Sequence, residues 1–186
     1  MDMTEKTLEH SVLFKGRILR LELDRVALPN GAEAPREVAR HPGGVTVLPL
    51  HDDGTVTVVR QFRYPYREVV TELPAGKLEP GEDPDDAIRR ELSEETGLEA
   101  REIRKMGVMY PSPGYCDERL HLYFARGLRE GARHPDEDEF LEVSRVPLGD
   151  LVAQVMAGKL PDAKTTALIL MVQRFLDEER EALAHG

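Results

Sequence analysis

The sequence predicts an α/β (α+β) sandwich with a mixed sheet and a small N-terminal antiparallel sheet. Three observations predict it. The first 41 residues read as strands only. The middle of the chain carries several more β-rich runs with one well-marked helix among them. The last 40 residues carry helical periodicity. Strands interrupted by helices at irregular points make a layered sandwich, because each apolar face must be covered by another layer.

The elements follow in order. LFKGRILRLELDRVAL contains alternating stretches, and Asn30-Gly31 is a turn signal. Two or three antiparallel strands are expected there. A sheet that small is rarely stable alone and must dock on its own chain or on a partner. VTVLPL (45–50) and TVTVVRQF (55–62) flank His51-Asp52-Asp53-Gly54 and predict a hairpin. EVVTEL (68–73), IRKMGVMY (103–110), RLHLYFA (119–125) and FLEVSRV predict strands, and HPDEDE (134–139) an acidic loop. PLGDLVAQVMAGK (147–159) has apolar residues near helical spacing, and Asp162 is positioned to cap a last helix whose late turns are charged. The expected division is residues 1–41 as a β subdomain and 42–186 as the main domain.

Composition limits the function. The chain has 186 residues, 40% apolar and 32% charged, an ordinary soluble composition. No apolar run approaches the roughly 20 residues that span a bilayer. The N-terminus has neither the basic start nor the apolar stretch of a secretion signal. Cys116 is the only cysteine, so no intrachain disulfide forms and a cytoplasmic location is expected. A net charge of −10 argues against non-specific nucleic-acid binding. An anionic small substrate stays open, provided metal ions, arginines or backbone N–H groups meet its phosphates.

The chemistry concentrates in GKLEPGEDPDDAIRRELSEETGL, residues 76–98. Asp83 is a good N-cap and Pro84 fits the first helical position. Gly97 suits the left-handed position after a helix. A helix from Pro84 to Thr96 is expected. Ile88 and Leu92, with Ala87, form its apolar stripe. Glu91 and Glu95 lie about 40° apart on one face, with Glu94 at its edge. Clustered carboxylates repel one another but suit Mg²⁺, which prefers oxygen ligands and keeps several waters. Taken alone, the cluster reads better as a solvated acidic face, and Arg90 can pair with Glu94 at i,i+4.

The full spacing reverses that reading. Gly76, five residues, Glu82, seven residues, then Arg90-Glu91-Leu92-x-Glu94-Glu95-x-Gly97-Leu98 fixes nine positions over 23 residues. This resembles the box of the Nudix hydrolase family, whose fold is a mixed sheet between helices. The flanks VVRQFRYPYREVVTELPAGKLEPGE and YPSPGYCDERLHLYFA resemble the ADP-ribose pyrophosphatase branch. Pro113, sixteen residues after Gly97, is a marker of that branch.

The resemblance implies roles. Glu91, Glu95, the carbonyl of Ala75 and Glu139 would bind metal: two or three Mg²⁺ per site, with Mn²⁺ an alternative. Arg90 and Glu94 would belong to the catalytic group, with Arg90 orienting the glutamates and the box glycines serving turns. Glu137 would be the base, the division between Glu137 and Glu139 staying open. Glu82 would bind metal peripherally or only hydrogen-bond. Arg40, Arg63, Ser112 and Glu118 would contact substrate. Phe14 is a candidate to stack on the base, since the chain has no Trp. Cys116 reads as incidental and His121 as structural. Relatives of this branch pair through N-terminal sheets, so a homodimer is expected, without nucleic-acid or membrane partners.

The implied reaction is hydrolysis of ADP-ribose to AMP and ribose 5-phosphate. A GDP- or ADP-hexose is the alternative substrate. A nucleotide-binding regulator is disfavoured, because the box glutamates are all present. Oxidised nucleoside triphosphates fit the flanks less well.

Overall fold

The computed structural model describes residues 1–133 and 140–185. By its internal contacts the chain divides into two compact units. One comprises Met1–Gly43 with Tyr110–Arg119. The other comprises Gly44–Met109 with Leu120 to the C-terminus.

The first unit is a three-stranded antiparallel sheet in the order β1 (Lys6–Lys15), β2 (Arg20–Ala27), β3 (Glu33–Arg40). Asn30-Gly31 makes the β2–β3 turn. Gly31 is left-handed at φ 84°, and the Leu28 N–H donates to Ala32 O at 2.8 Å. Side chains stitch the strands together. Arg25 on the central strand pairs with Glu9 of β1 and Glu33 of β3, and Arg36 pairs with Glu5. All ten residues of β1 are exposed, including Val12, Leu13 and Phe14. The 110–119 loop joins through its backbone: Ala39 N–H donates to Tyr115 O at 2.7 Å, and Asp117 N–H to Ala39 O at 3.1 Å.

The second unit holds two sheets. A four-stranded mixed sheet has the order β7 (Ala75–Lys77), β4 (Gly44–Pro49), β9 (Leu120–Glu130), β8 (Leu98–Met109). Its β4–β9 pair is parallel and the others antiparallel. A three-stranded antiparallel sheet has the order β10 (Glu142–Pro147), β5 (Thr55–Arg63), β6 (Glu68–Glu72). Strand alternation sorts the core. Val45, Val47, Tyr123 and Ala125 face α1 (Pro84–Thr96), packing on Ala87, Ile88 and Leu92. Leu48, Leu122 and Phe124 face the other way. They meet Val56 and Val58 of β5 and the helices α2 (Leu148–Met156) and α3 (Ala163–His185). Among the described residues, no helix is long and apolar enough to cross a membrane.

One expectation fails here. Residues 45–50 and 55–62 do not form a hairpin ladder. The turn closes as expected, with His51 N–H donating to Thr55 O at 2.8 Å and a lone bridge between Leu50 and Val56. Beyond it the strands part into different sheets. All six residues of β4 are buried, so it needs cover on both faces and neighbours on both edges. Its partners β7 and β9 lie far along the chain, where a local turn signal carries no information.

Candidate active site

Helix α1 forms as its termini dictate. Asp83 accepts from Asp85 N–H at 2.8 Å, Pro84 opens the first turn, and Gly97 at φ 71° ends the helix while donating to Ser93 O at 2.8 Å. The apolar stripe pins the helix to β4 and β9. Tyr123 O–H, donating to Asp85 Oδ1 at 2.6 Å, ties its first turn to β9. Glu91 and Glu95 are thereby held on the sheet side, 8% and 2% exposed. Their face is not a solvated one. Glu94 at its edge stays half-buried.

These glutamates meet a short backbone rail, residues 72–76, fastened at each step. Leu73 N–H donates to Thr165 Oγ1 at 2.9 Å. Pro74 O accepts from Val47 N–H and Thr46 Oγ1, each at 3.0 Å. Ala75 N–H donates to Glu95 Oε2 at 3.0 Å. At Gly76 the approach is closer still: a Cβ there would lie 1.8 Å from Glu91 Cδ. Gly76 therefore serves close packing rather than the turn expected of it, whereas Gly97 does serve a turn.

Arg90 binds the acidic residues together. Its Nε and Nη2 donate to the two oxygens of Glu82 at 2.9 and 3.0 Å. Its Nη1 donates to Glu91 Oε1 at 2.8 Å and Glu94 Oε2 at 2.9 Å. The Glu82 bonds, then those to Glu91 and Glu94, hold the guanidinium above its ordinary pKa against the opposing effect of burial. Glu82 is held below the usual carboxylate range by Arg90 and by the Glu79 N–H, 2.9 Å away.

A buried carboxylate is costly unless it is hydrogen-bonded, paired or coordinating a cation. Among the described residues no three His, Cys, Asp or Glu side chains form a ready metal cage. Mg²⁺ does not require one, since it keeps waters and shares substrate phosphate oxygens. Two buried carboxylates packed against the Ala75-Gly76 backbone fit such an ion as a partial oxygen set.

Arg63 pairs with Glu72, its Nε and Nη2 donating at 2.5 and 2.6 Å to a carboxylate only 1% exposed. Burial pushes the Glu72 carboxyl up. Arg63 and Lys164 outweigh burial and hold it below the usual range. Neither Glu72 nor Lys164 is among the site residues that the sequence motifs mark. The available signal was strand parity: Glu72 is two residues from buried Val70 in β6, on the same face.

Arg40, Ser112 and Glu118 lie in the first unit. Arg40 donates to Glu22 at 2.6 Å and to Asp117 at 3.1 Å. Ser112 O accepts from the N–H groups of Tyr115 and Cys116, shaping the loop. Glu118 Oε1 sits 3.4 Å from His41 Nδ1. Phe14 is 60% exposed. Glu137 and Glu139 lie outside the described residues.

Residues 40–179 match the NUDIX domain family, and the chain belongs to it. Residues 5–39 match the nucleoside diphosphate sugar hydrolase N-terminal domain. An ADP-ribose pyrophosphatase of Bacillus subtilis (strain 168) is 42% identical, over 92% of this chain and 94% of its own length. A methanol dehydrogenase activator of Bacillus methanolicus is 39% identical over 97% and 96%. A GDP-mannose pyrophosphatase of Citrobacter koseri is 35% identical over 72% and 75%. Among solved structures, an ADP compounds hydrolase superposes with a TM-score of 0.85, covering 96% of this chain and 98% of that one at 19% identity.

Proposed function

We propose that this chain hydrolyses the pyrophosphate of ADP-ribose, giving AMP and ribose 5-phosphate, with Mg²⁺ as its metal. The observation that carries the reading is the packing of buried Glu91 and Glu95 against Ala75 and Gly76. The near-full-length match to an ADP-ribose pyrophosphatase supports the substrate.

Glu91, Glu95 and the Ala75 carbonyl would hold the metal. When bound, it neutralises pyrophosphate charge and lowers the pKa of an attacking water. The protein's share is orientation. The Ala75 N–H fixes Glu95, and the absence of a side chain at Gly76 lets Glu91 reach the rail. Arg90 sets the angle between Glu91 and Glu94 while consuming the charge of Glu82. Arg63, its side chain 40% exposed, offers fixed positive charge to a substrate phosphate. Arg40, Ser112 and Glu118 serve the rest of the substrate. Glu137 as the base taking the water's proton, and Glu139 as a further ligand, rest on the family resemblance alone.

The chain acts as a homodimer joined through its N-terminal strands, because β1 exposes Leu8, Val12, Leu13 and Phe14. A cytoplasmic location fits the single cysteine. A nucleoside diphosphate hexose is the second reading, favoured by the GDP-mannose pyrophosphatase relative. A screen of nucleotide sugars with Mg²⁺ separates the two. ADP-ribose should give the highest kcat/KM, and a higher value for GDP-mannose would replace the first reading with the second.

A further inference from the structure

Beneath Arg63 lies a closed set of four charges. Glu72 accepts both Arg63 bonds and a further one from Lys164 Nζ. Lys164 Nζ also donates to Asp162 Oδ1 at 2.9 Å. Asp162 Oδ2 accepts from Thr165 N–H at 3.0 Å, and Thr165 Oγ1 accepts from Leu73 N–H at 2.9 Å. The circuit runs from β5 and β6 through the first turn of α3 and back to the rail at residue 73.

Stability alone is a weak reason for this arrangement. Glu72 is 1% exposed and Lys164 9%. Replacing a buried ion pair by well-packed apolar side chains is often neutral or stabilising. What the network supplies is geometry. Among the described residues the guanidinium of Arg63 donates only to Glu72, through its Nε–Nη2 edge, so its Nη1 group remains to donate. Glu72, which holds Arg63, opens the same backbone rail whose Ala75 N–H fixes Glu95, so the clamp and the box share one short segment. Lys164, itself held by Asp162, grips Glu72 from the other side and so fixes the carboxylate that orients Arg63.

We propose that Glu72 and Lys164 are positioning residues, which clamp Arg63 so that its outer edge meets a phosphate of the substrate. This rests on the ADP-ribose reading above. Neither residue touches substrate. Both act through the guanidinium, and α3 takes part in the site through its first turn.

A double-mutant cycle tests this in the full chain with ADP-ribose and Mg²⁺. Glu72→Gln keeps the side chain's shape, and Lys164→Met keeps most of its stem. Each should raise KM about tenfold with kcat within about threefold, and each should add less than about twofold once Arg63 is already alanine. A structural residue would instead multiply its effect onto that of Arg63→Ala. Such multiplicative behaviour, or an unchanged KM in both single variants, overturns the positioning role. So does failure of both variants to fold, since that makes the network structural. A wild-type chain that leaves ADP-ribose intact overturns the underlying substrate reading instead, an outcome distinct from an active wild type with independent variants.

Discussion

Strands β1 and β4 are both extended and both carry apolar residues, yet all ten residues of β1 are exposed and all six of β4 are buried. The difference lies in cover. β4 has α1 on one face and a second sheet with α2 and α3 on the other. Its neighbour β7 can then hold the Glu91 and Glu95 carboxylates to fixed backbone positions. The first unit is held by exposed ion pairs such as Arg25 with Glu9 and Glu33, each contributing little. Precision in this molecule belongs to the fully covered sheet, and uncovered apolar surface is left where a second copy is proposed to pack.

The largest predicted effect probes the covered region at its tightest point. Gly76→Ala places a methyl group on the Glu91 carboxylate and should lower kcat by at least about a hundredfold, in line with losses from misplacing a catalytic group by an ångström. Steady-state kinetics at saturating Mg²⁺ measures it, and near-normal kcat would show that Glu91 can work from another position.

A matched pair of truncations then sets the two regions side by side. Leu92→Ala, in the core under α1, should destabilise by about 2–5 kcal/mol in urea unfolding. Leu13→Ala on β1 should cost under about 0.5 kcal/mol within one chain, as exposed substitutions do. Charge on the same strand should act on assembly instead. Leu13→Asp with Phe14→Asp should give monomers in sedimentation velocity with the fold retained, and dimers persisting there would remove β1 from the interface.

Smaller effects test the helix and the buried charge. Asp83→Ala removes the N-cap of α1 and should cost about 1 kcal/mol. The carboxyl of Glu72 is raised by burial, but Arg63 and Lys164 more than offset this and leave it below its ordinary 4.5. A depressed carboxyl pKa stabilises the fold fully above the ordinary value, and that stabilisation is lost as pH falls through the lowered one. Urea midpoints between pH 6 and pH 3 should therefore fall less steeply in Glu72→Gln than in the wild type.

The sequence was readable where the physics is local. Helix α1 was legible end to end, because Asp83, Pro84 and Gly97 act on their immediate neighbours. The turn after β4 was legible for the same reason, but not the parting of β4 and β5, which depends on partners far along the chain. Glutamate spacing located the acidic face of α1. It did not reveal that Gly76 lies against Glu91, a contact made only when β7 pairs with β4. Arg40 and Arg63 stood out as cations, while their buried partners Glu22 and Glu72 did not, since burial of a carboxylate is decided by the sheet around it.

The fixed carboxylate of Glu91 is proposed to serve a metal-dependent cleavage. Mg²⁺-titrated turnover of ADP-ribose by Glu91→Gln tests it most directly, alongside thermal unfolding of the same variant. The expected result is a loss of kcat of at least about a hundredfold with an unfolding temperature close to that of the wild type. Wild-type turnover with an unchanged Mg²⁺ dependence would contradict it.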